Sequence, residues 1–304
     1  MSGKVMIVGT GNVGASVGYA LINQSTAVRE LVLTDINEAD AEGEAMDLRD
    51  TLAVTPNFMK IYAGTYADAT DCDIVVITAG VPQKPGESRM DLLKKNAGIF
   101  KDMVEQIMAS GFNGIFIVVT NPMDVLTYLT QVYSGLPHEQ VIGSGTVLDS
   151  ARLRYRIGER LGASPKSVHA YQVGEHGDTE FALWSTADFG GQPINRLLTP
   201  EEQREIEDFA RNEAYTIIEK KGATYYGIGA CVANIIQCIL LDERRVLPIS
   251  SYDEFTDTYF GFPTILGRHG VVRRLELNLT EQEGMKLQTS INALKTAIDT
   301  VKDA

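Results

Sequence analysis

Short apolar runs alternate with amphipathic stretches through the first half of the chain. Residues 4–8 (Lys-Val-Met-Ile-Val) read as a buried strand, followed by a glycine turn and a helical stretch at Ala15–Asn23. Leu31–Thr34 predicts a second strand ending in Asp35, and a charged helix follows around Glu38–Asp50. Further apolar runs lie at Lys60–Ala63, Ile74–Thr78, Ile115–Val119 and Val141–Ile142, with helical patterns at 91–109 and 123–133. Alternation of this kind implies a doubly wound α/β arrangement, a parallel sheet with helices on both faces.

Past about residue 144 the pattern changes. A long helix is expected at Val147–Leu161, then short strands and turns to about 197. Thr199-Pro200-Glu201-Glu202 supplies a cap, a first-turn proline and acids at the positive end of a helix dipole, so a helix should run from there to Lys221. Another fills Tyr226–Leu241. Strands at 245–250 and around 258–277 precede a last helix over Thr280–Val301, whose start Thr280-Glu281-Gln282-Glu283 matches a capping box. We therefore expect a nucleotide-binding unit at 1–143 and an α+β catalytic unit at 144–304, packed tightly with the site between them.

Composition narrows the partners. The chain has 304 residues, 44% of them hydrophobic, which is enough for a sizeable core. A net charge of −13 argues against nucleic acid and anionic membrane, because both require a basic surface. Cys72, Cys231 and Cys238 show no metal spacing and read as buried thiols of a reducing cytosol. No apolar run is long enough to span a membrane and no signal peptide is evident, so a cytoplasmic protein is expected.

The glycine turn carries the first chemistry. Gly9-Thr10-Gly11-Asn12-Val13-Gly14 follows a strand, opens a helix, and precedes an acid, Asp35, at the end of the next strand. That context is what a Rossmann-type dinucleotide fingerprint requires. Gly9 makes the turn, Gly11 lets the backbone approach a pyrophosphate, and Gly14 permits close helix packing. Asp35 would accept from ribose hydroxyls and repel a 2′-phosphate, which favours NAD over NADP. Thr78-Ala79-Gly80 and Thr120-Asn121-Pro122 close two more strands with small residues, leaving room for ribose and nicotinamide. Asn121 is a candidate contact to substrate or cofactor, or simply an Asn-Pro turn.

The second cluster is Gly174-Glu175-His176-Gly177-Asp178, which holds one of only four histidines between two glycines. Upstream, Leu148-Asp149-Ser150-Ala151-Arg152 places a carboxylate and a guanidinium three residues apart on a helix face. These suggest a histidine acid/base oriented by Asp149, with Arg152 clamping a substrate carboxylate. A turn histidine beside a surface ion pair is the plainer alternative. The polar segment Val81–Arg89, bounded by Pro and Gly, suits a mobile loop over the cleft, with Gln83 and Arg89 carried on it.

Taken in order, Gly9–Gly14, Asp35, Thr78–Arg89, Asn121-Pro122, Leu148–Arg152, Gly174–Asp178 and Thr224 resemble the L-lactate/malate dehydrogenases over essentially the whole chain. Within that family the chain is most similar to the bacterial L-lactate branch. The resemblance implies an NAD-dependent oxidoreductase in which His176 is the proton donor and acceptor. Asp149 would orient it and raise its pKa, Arg152 would bind the substrate carboxylate, and Arg89 would polarise the carbonyl. No metal is implied. Gln83 stands where malate enzymes carry arginine, and Thr224 where lactate enzymes carry threonine, so pyruvate is the implied substrate and larger 2-keto acids the nearer competitors. Arg154 and His169 match positions that bind fructose 1,6-bisphosphate in activated bacterial relatives. Tetramers are usual for the lactate enzymes, so the resemblance implies a homotetramer. NAD-dependent glycosidases share the cofactor architecture, but they need a cysteine and histidine metal site, and no cysteine adjoins His176. A nucleotide-binding module without turnover would need none of His176, Asp149, Arg152 and Arg89 together.

Overall fold

The structure is a computed structural model, and it describes residues 2–81 and 89–301, with only the backbone at 89 and 90. Six parallel strands form its centre: β1 (Lys4–Val8), β2 (Glu30–Thr34), β3 (Lys60–Ala63), β4 (Ile74–Ile77), β5 (Ile115–Val118) and β6 (Val141–Gly143). Their spatial order is β3-β2-β1-β4-β5-β6, so the winding reverses between β1 and β4. Ligands of open α/β sheets bind at that reversal, outside the carboxyl ends of the strands. The doubly wound α/β expectation is borne out.

The sheet does not end at β6. Ser250–Asp253 and Thr258–Gly261 add an antiparallel hairpin to its edge, making eight strands, with Ser250 opposite Gly143. Periodicity had shown strands near 245–250 and 258–277, but not which sheet they would join. The other short strands of the second half, such as Gln172–Val173 with Phe181–Ala182, form separate antiparallel pairs and triplets.

Helices cover both faces. On one lie α1 (Asn12–Gln24), α2 (Glu38–Asp50) and α7 (Tyr226–Leu240), burying Val17, Leu21, Leu48, Val232, Ile235 and Ile239 against β1, β2 and β4. On the other lie α3 (Arg89–Ala109), α4 (Met123–Ser134) and α8 (Glu281–Asp299), contributing Phe100, Val104, Leu126, Leu129, Ile291 and Leu294. Two helices of the second half thus complete the core of the first. A smaller core joins α5 (Val147–Leu161) to α6 (Pro200–Lys221) through Leu153, Ile157, Ile206 and Ala210.

Local chemistry explains the boundaries. Capping boxes form at Thr199 with Glu202 and at Thr280 with Glu283, so α6 and α8 begin one residue after the predicted threonines. Helix α1 starts three residues earlier than predicted, because Gly11 in extended conformation already serves as its N-cap. Cys72 and Cys238 are buried, but Cys231 is only half-buried, a correction to the expectation of three buried thiols. It packs, half-buried on α7, against the same core as Cys238. No helix among the described residues is long and apolar enough to cross a membrane.

Candidate active site

The glycine loop is built by close packing. Gly9 has φ +96°, and a Cβ there would lie 2.5 Å from the backbone nitrogen of Ala79. A Cβ on Gly14 would lie 1.9 Å from the Gly9 carbonyl oxygen. Both positions therefore exclude any side chain. Gly11 differs, since nothing stands within 4 Å of where its Cβ would be. Its bare backbone faces open space at the start of α1, where the helix dipole favours a phosphate. The residues present thus fit a dinucleotide.

Neighbouring strand ends brace this loop. Asp35 Oδ2 accepts from the Thr10 amide at 2.7 Å and hydroxyl at 3.1 Å. The Thr78 hydroxyl donates to the Gly9 carbonyl at 2.7 Å, and the Thr120 hydroxyl to that of Ala79 at 2.7 Å. Gly80 is forced by the Thr120 methyl, which a Cβ would meet at 2.5 Å. Asn121 precedes Pro122 in a cis peptide at the end of β5. Asn96 on α3, fully buried, receives the Val81 amide at 3.0 Å and so fixes the chain as it leaves the crevice.

The second cluster closes on one carboxylate. Asp149, in the first turn of α5 and 2% exposed, holds Nδ1 of His176 with one oxygen at 2.8 Å. Its other oxygen accepts from Arg152 Nη1 at 2.9 Å, and Arg152 Nε lies 3.6 Å from Glu213. The predicted histidine, aspartate and arginine are therefore brought together. Committing Nδ1 to Asp149 leaves Nε2 for a substrate. Burial alone would lower the His176 pKa, but the charge and hydrogen bond of Asp149, with Glu180 and Asp124 behind it, raise it to about 9. Burial likewise works to raise Asp149, and the imidazolium with Arg152 outweighs it, so the carboxyl stays below its usual range.

His176 sits on a connection anchored from several sides. The backbones of Gly174 and Gly261 exchange two hydrogen bonds of 2.9 Å, tying the connection to the added hairpin. Gly174 has φ +96° and lies against Ser290 of α8, whose hydroxyl accepts from the Glu175 amide at 2.6 Å. The His176 amide donates to Asp124 Oδ2 at 2.7 Å, and the Ser250 hydroxyl donates to Oδ1 at 2.5 Å. Burial pushes the Asp124 carboxyl up to about 6, against the lowering effect of these two bonds.

Reading the sequence missed Asp124, Asn96 and Glu180. Asp124 stands two residues beyond Pro122, so the Asn-Pro turn already pointed to it. Glu180, four residues after His176, gave no such signal because a turn, not a helix, brings it back. Asp149, His176 and Glu180 also form a ligand-type cluster, with ligand atoms within 4.8 Å of one another. The Nδ1 bond to Asp149 already uses the histidine nitrogen on that side.

The remaining candidates are more scattered. Thr224 is half-buried on the connection between α6 and α7. Arg154 is half-buried, its Nε donating to the Ser150 carbonyl at 3.3 Å. His169 is exposed and pairs across strands with Asp188 at 3.3 Å. Among the described residues no hydrogen bond or ion pair joins Arg154 to His169. Gln83 and the Arg89 side chain lie outside the described residues.

Comparison with known proteins fixes the family. Residues 3–143 match the lactate/malate dehydrogenase NAD-binding domain, and residues 146–304 match the alpha/beta C-terminal domain of the same family. The chain belongs to the lactate/malate dehydrogenase family. It is an NAD-dependent oxidoreductase, as its glycine loop and Asp35 led us to expect. The dehydrogenase sides with the bacterial L-lactate branch. It is 51% identical to L-lactate dehydrogenase 2 of Bacillus cereus and 50% identical to L-lactate dehydrogenase 1 of the same species, each over 302 residues and 96% of both chains. Among solved structures, a lactate dehydrogenase from a Medee basin deep-sea metagenome superposes with TM-score 0.96 at 47% identity, covering 98% of both chains. The minor L-lactate dehydrogenase of Enterococcus mundtii, in a ligand-bound form, gives 0.96 at 45% identity and the same coverage.

Proposed function

We propose that this dehydrogenase interconverts pyruvate and L-lactate, with His176 as acid and base. The observation that carries the reading is the Asp149 carboxylate bridging His176 at 2.8 Å and Arg152 at 2.9 Å. Bound NADH supplies the hydride. Arg152 grips the substrate carboxylate in a planar two-bond contact, and His176 Nε2 gives its proton to the keto oxygen. Asp149 holds the ring and stabilises its charged form. We assign to Arg89 the polarisation of the carbonyl, and to Asn121 and Thr224 contacts that shape the pocket. NADH oxidation measured with pyruvate and with oxaloacetate tests the reading, and a preference for oxaloacetate would overturn it.

Gln83 is our candidate for discrimination between those acids. A neutral amide leaves the second carboxylate of oxaloacetate unpaired in a closed site, which costs several kcal/mol. Gln83→Arg is expected to shift the kcat/KM ratio towards oxaloacetate by roughly a hundredfold, about 3 kcal/mol. A ratio unchanged from the parent enzyme would remove this assignment.

We extend the proposal to activation by fructose 1,6-bisphosphate at Arg154 and His169, and to a homotetramer. A guanidinium and an imidazolium suit phosphate, and a two-fold axis lets two subunits share one bisphosphate. The exposure of His169 and the apolar Tyr19, Met46 and Tyr226 on α1, α2 and α7 support such surfaces. Arg154→Gln is expected to abolish activation while leaving the rate at saturating pyruvate unchanged. Initial rates and light scattering, each with and without the sugar, check this, and an undiminished response rejects the site.

A further inference from the structure

Glu180 is the buried carboxyl that the mechanism above leaves unused. It follows the turn at Asp178 and Thr179, and its amide donates to the Gly177 carbonyl at 3.3 Å. The turn folds its side chain back beneath the imidazole, so Oε2 lies 4.0 Å from Nδ1 of His176. Only 4% of the residue is exposed. Oε1 receives Nε2 of Gln172 at 3.3 Å, and Gln172, fully buried, has no hydrogen-bond partner for its own Oε1 among the described residues. A primary amide donates to a carboxylate and, turned over, accepts from a carboxylic acid. Gln172 can therefore serve Glu180 in either protonation state.

The charges facing Glu180 are Asp149, His176, Arg152 and Arg211, while His176 also faces Asp124. Both arginines are already engaged. Arg152 is held by Asp149, and Arg211 pairs with Glu207 and donates to the backbone carbonyl of Glu180. Once His176 is neutral, two carboxylates whose oxygens lie within 4.8 Å of each other would share a buried space. Like charges that close favour a cation between them, and the imidazolium of His176 supplies one beside the Arg152 already on Asp149. Burial first, then the Asp149 charge, pushes the Glu180 carboxyl well above its ordinary range, with His176 and Arg152 opposing.

The geometry points to Glu180 as a positioning residue for His176, a carboxylate set beside the imidazole that favours the protonated ring. The inference rests on His176 being the acid. On reduction the keto carbon gains the hydride, the Nε2–H bond breaks, and an O–H bond forms on the former carbonyl oxygen. His176 is then reloaded from solvent, so one proton is consumed per turnover.

The test is the alkaline limb of kcat/KM for pyruvate, where His176 loses its proton. Glu180→Gln removes the anion without changing the shape, and is expected to move that limb down by about one pH unit. Glu180→Asp retains a carboxylate farther from the ring and should give a smaller shift in the same direction. Titration of the His176 ring by NMR, with NADH bound, should reproduce both shifts without turnover. That measurement separates this inference from the substrate assignment, since it stands even if pyruvate is not reduced. A His176 midpoint equal in the parent enzyme and in either folded variant would overturn it.

Discussion

Replacing His176 with glutamine is expected to lower kcat for pyruvate reduction by about a thousandfold, the scale of a lost general acid. Glutamine fills similar space and still presents a donor, so the cofactor crevice at Gly9–Gly14 and Asp35 should be untouched. NADH affinity, followed by its fluorescence, is therefore expected to stay within about threefold of the parent. The parent enzyme should show a matching pH signature. Its histidine pKa is raised to about 9, so the proton is present below that value. Reduction should accordingly be flat through neutral pH and fall as pH rises through about 9, while the reverse reaction gains as the free base forms. A variant retaining a tenth of parental kcat, or a reduction rate that rises through that window, would remove His176 from the chemistry.

Arg152→Lys should be nearly as damaging, for a different reason. The guanidinium is 9% exposed and already spans Asp149 and Glu213, with its remaining N–H groups available to a substrate carboxylate. An ammonium is a single point of charge and cannot hold several planar acceptors at once. The substitution is expected to cost about 3 kcal/mol in kcat/KM for pyruvate, roughly a hundredfold, mostly as a raised KM. NADH binding should be little changed. Steady-state kinetics across pyruvate concentration checks this, and a KM within twofold of the parent would exclude Arg152 from carboxylate binding.

The first half of the fold was legible because its strands are continuous apolar runs and its glycines sit at fixed spacing. Gly9 and Gly14 carry steric demands that no other residue meets, and such demands leave a mark on sequence. The His176, Asp149 and Arg152 cluster was legible in part through spacing, Asp149 and Arg152 being three apart on α5. Its link to His176, twenty-seven residues later, was suggested by residue type, a glycine-flanked histidine and a nearby carboxylate, rather than by periodicity. What stayed hidden depends on contacts distant along the chain. The bond from Asp124 to the His176 amide spans 52 residues, and that from Ser250 to Asp124 spans 126. No local pattern announces them, and the attachment of the 250–261 hairpin to β6 is hidden for the same reason.

That attachment has a consequence for how the molecule fails. The backbone around His176, the proposed acid, is moored to the hairpin at Gly261, to α4 at Asp124 and to α8 at Ser290, elements far apart along the chain. Proton transfer demands placement to a fraction of an ångström, a far stricter condition than remaining folded. Fraying of any one mooring slackens His176 while the bulk of the core stays intact. On that reading activity is expected to fade at the first local melting, before the core itself unfolds.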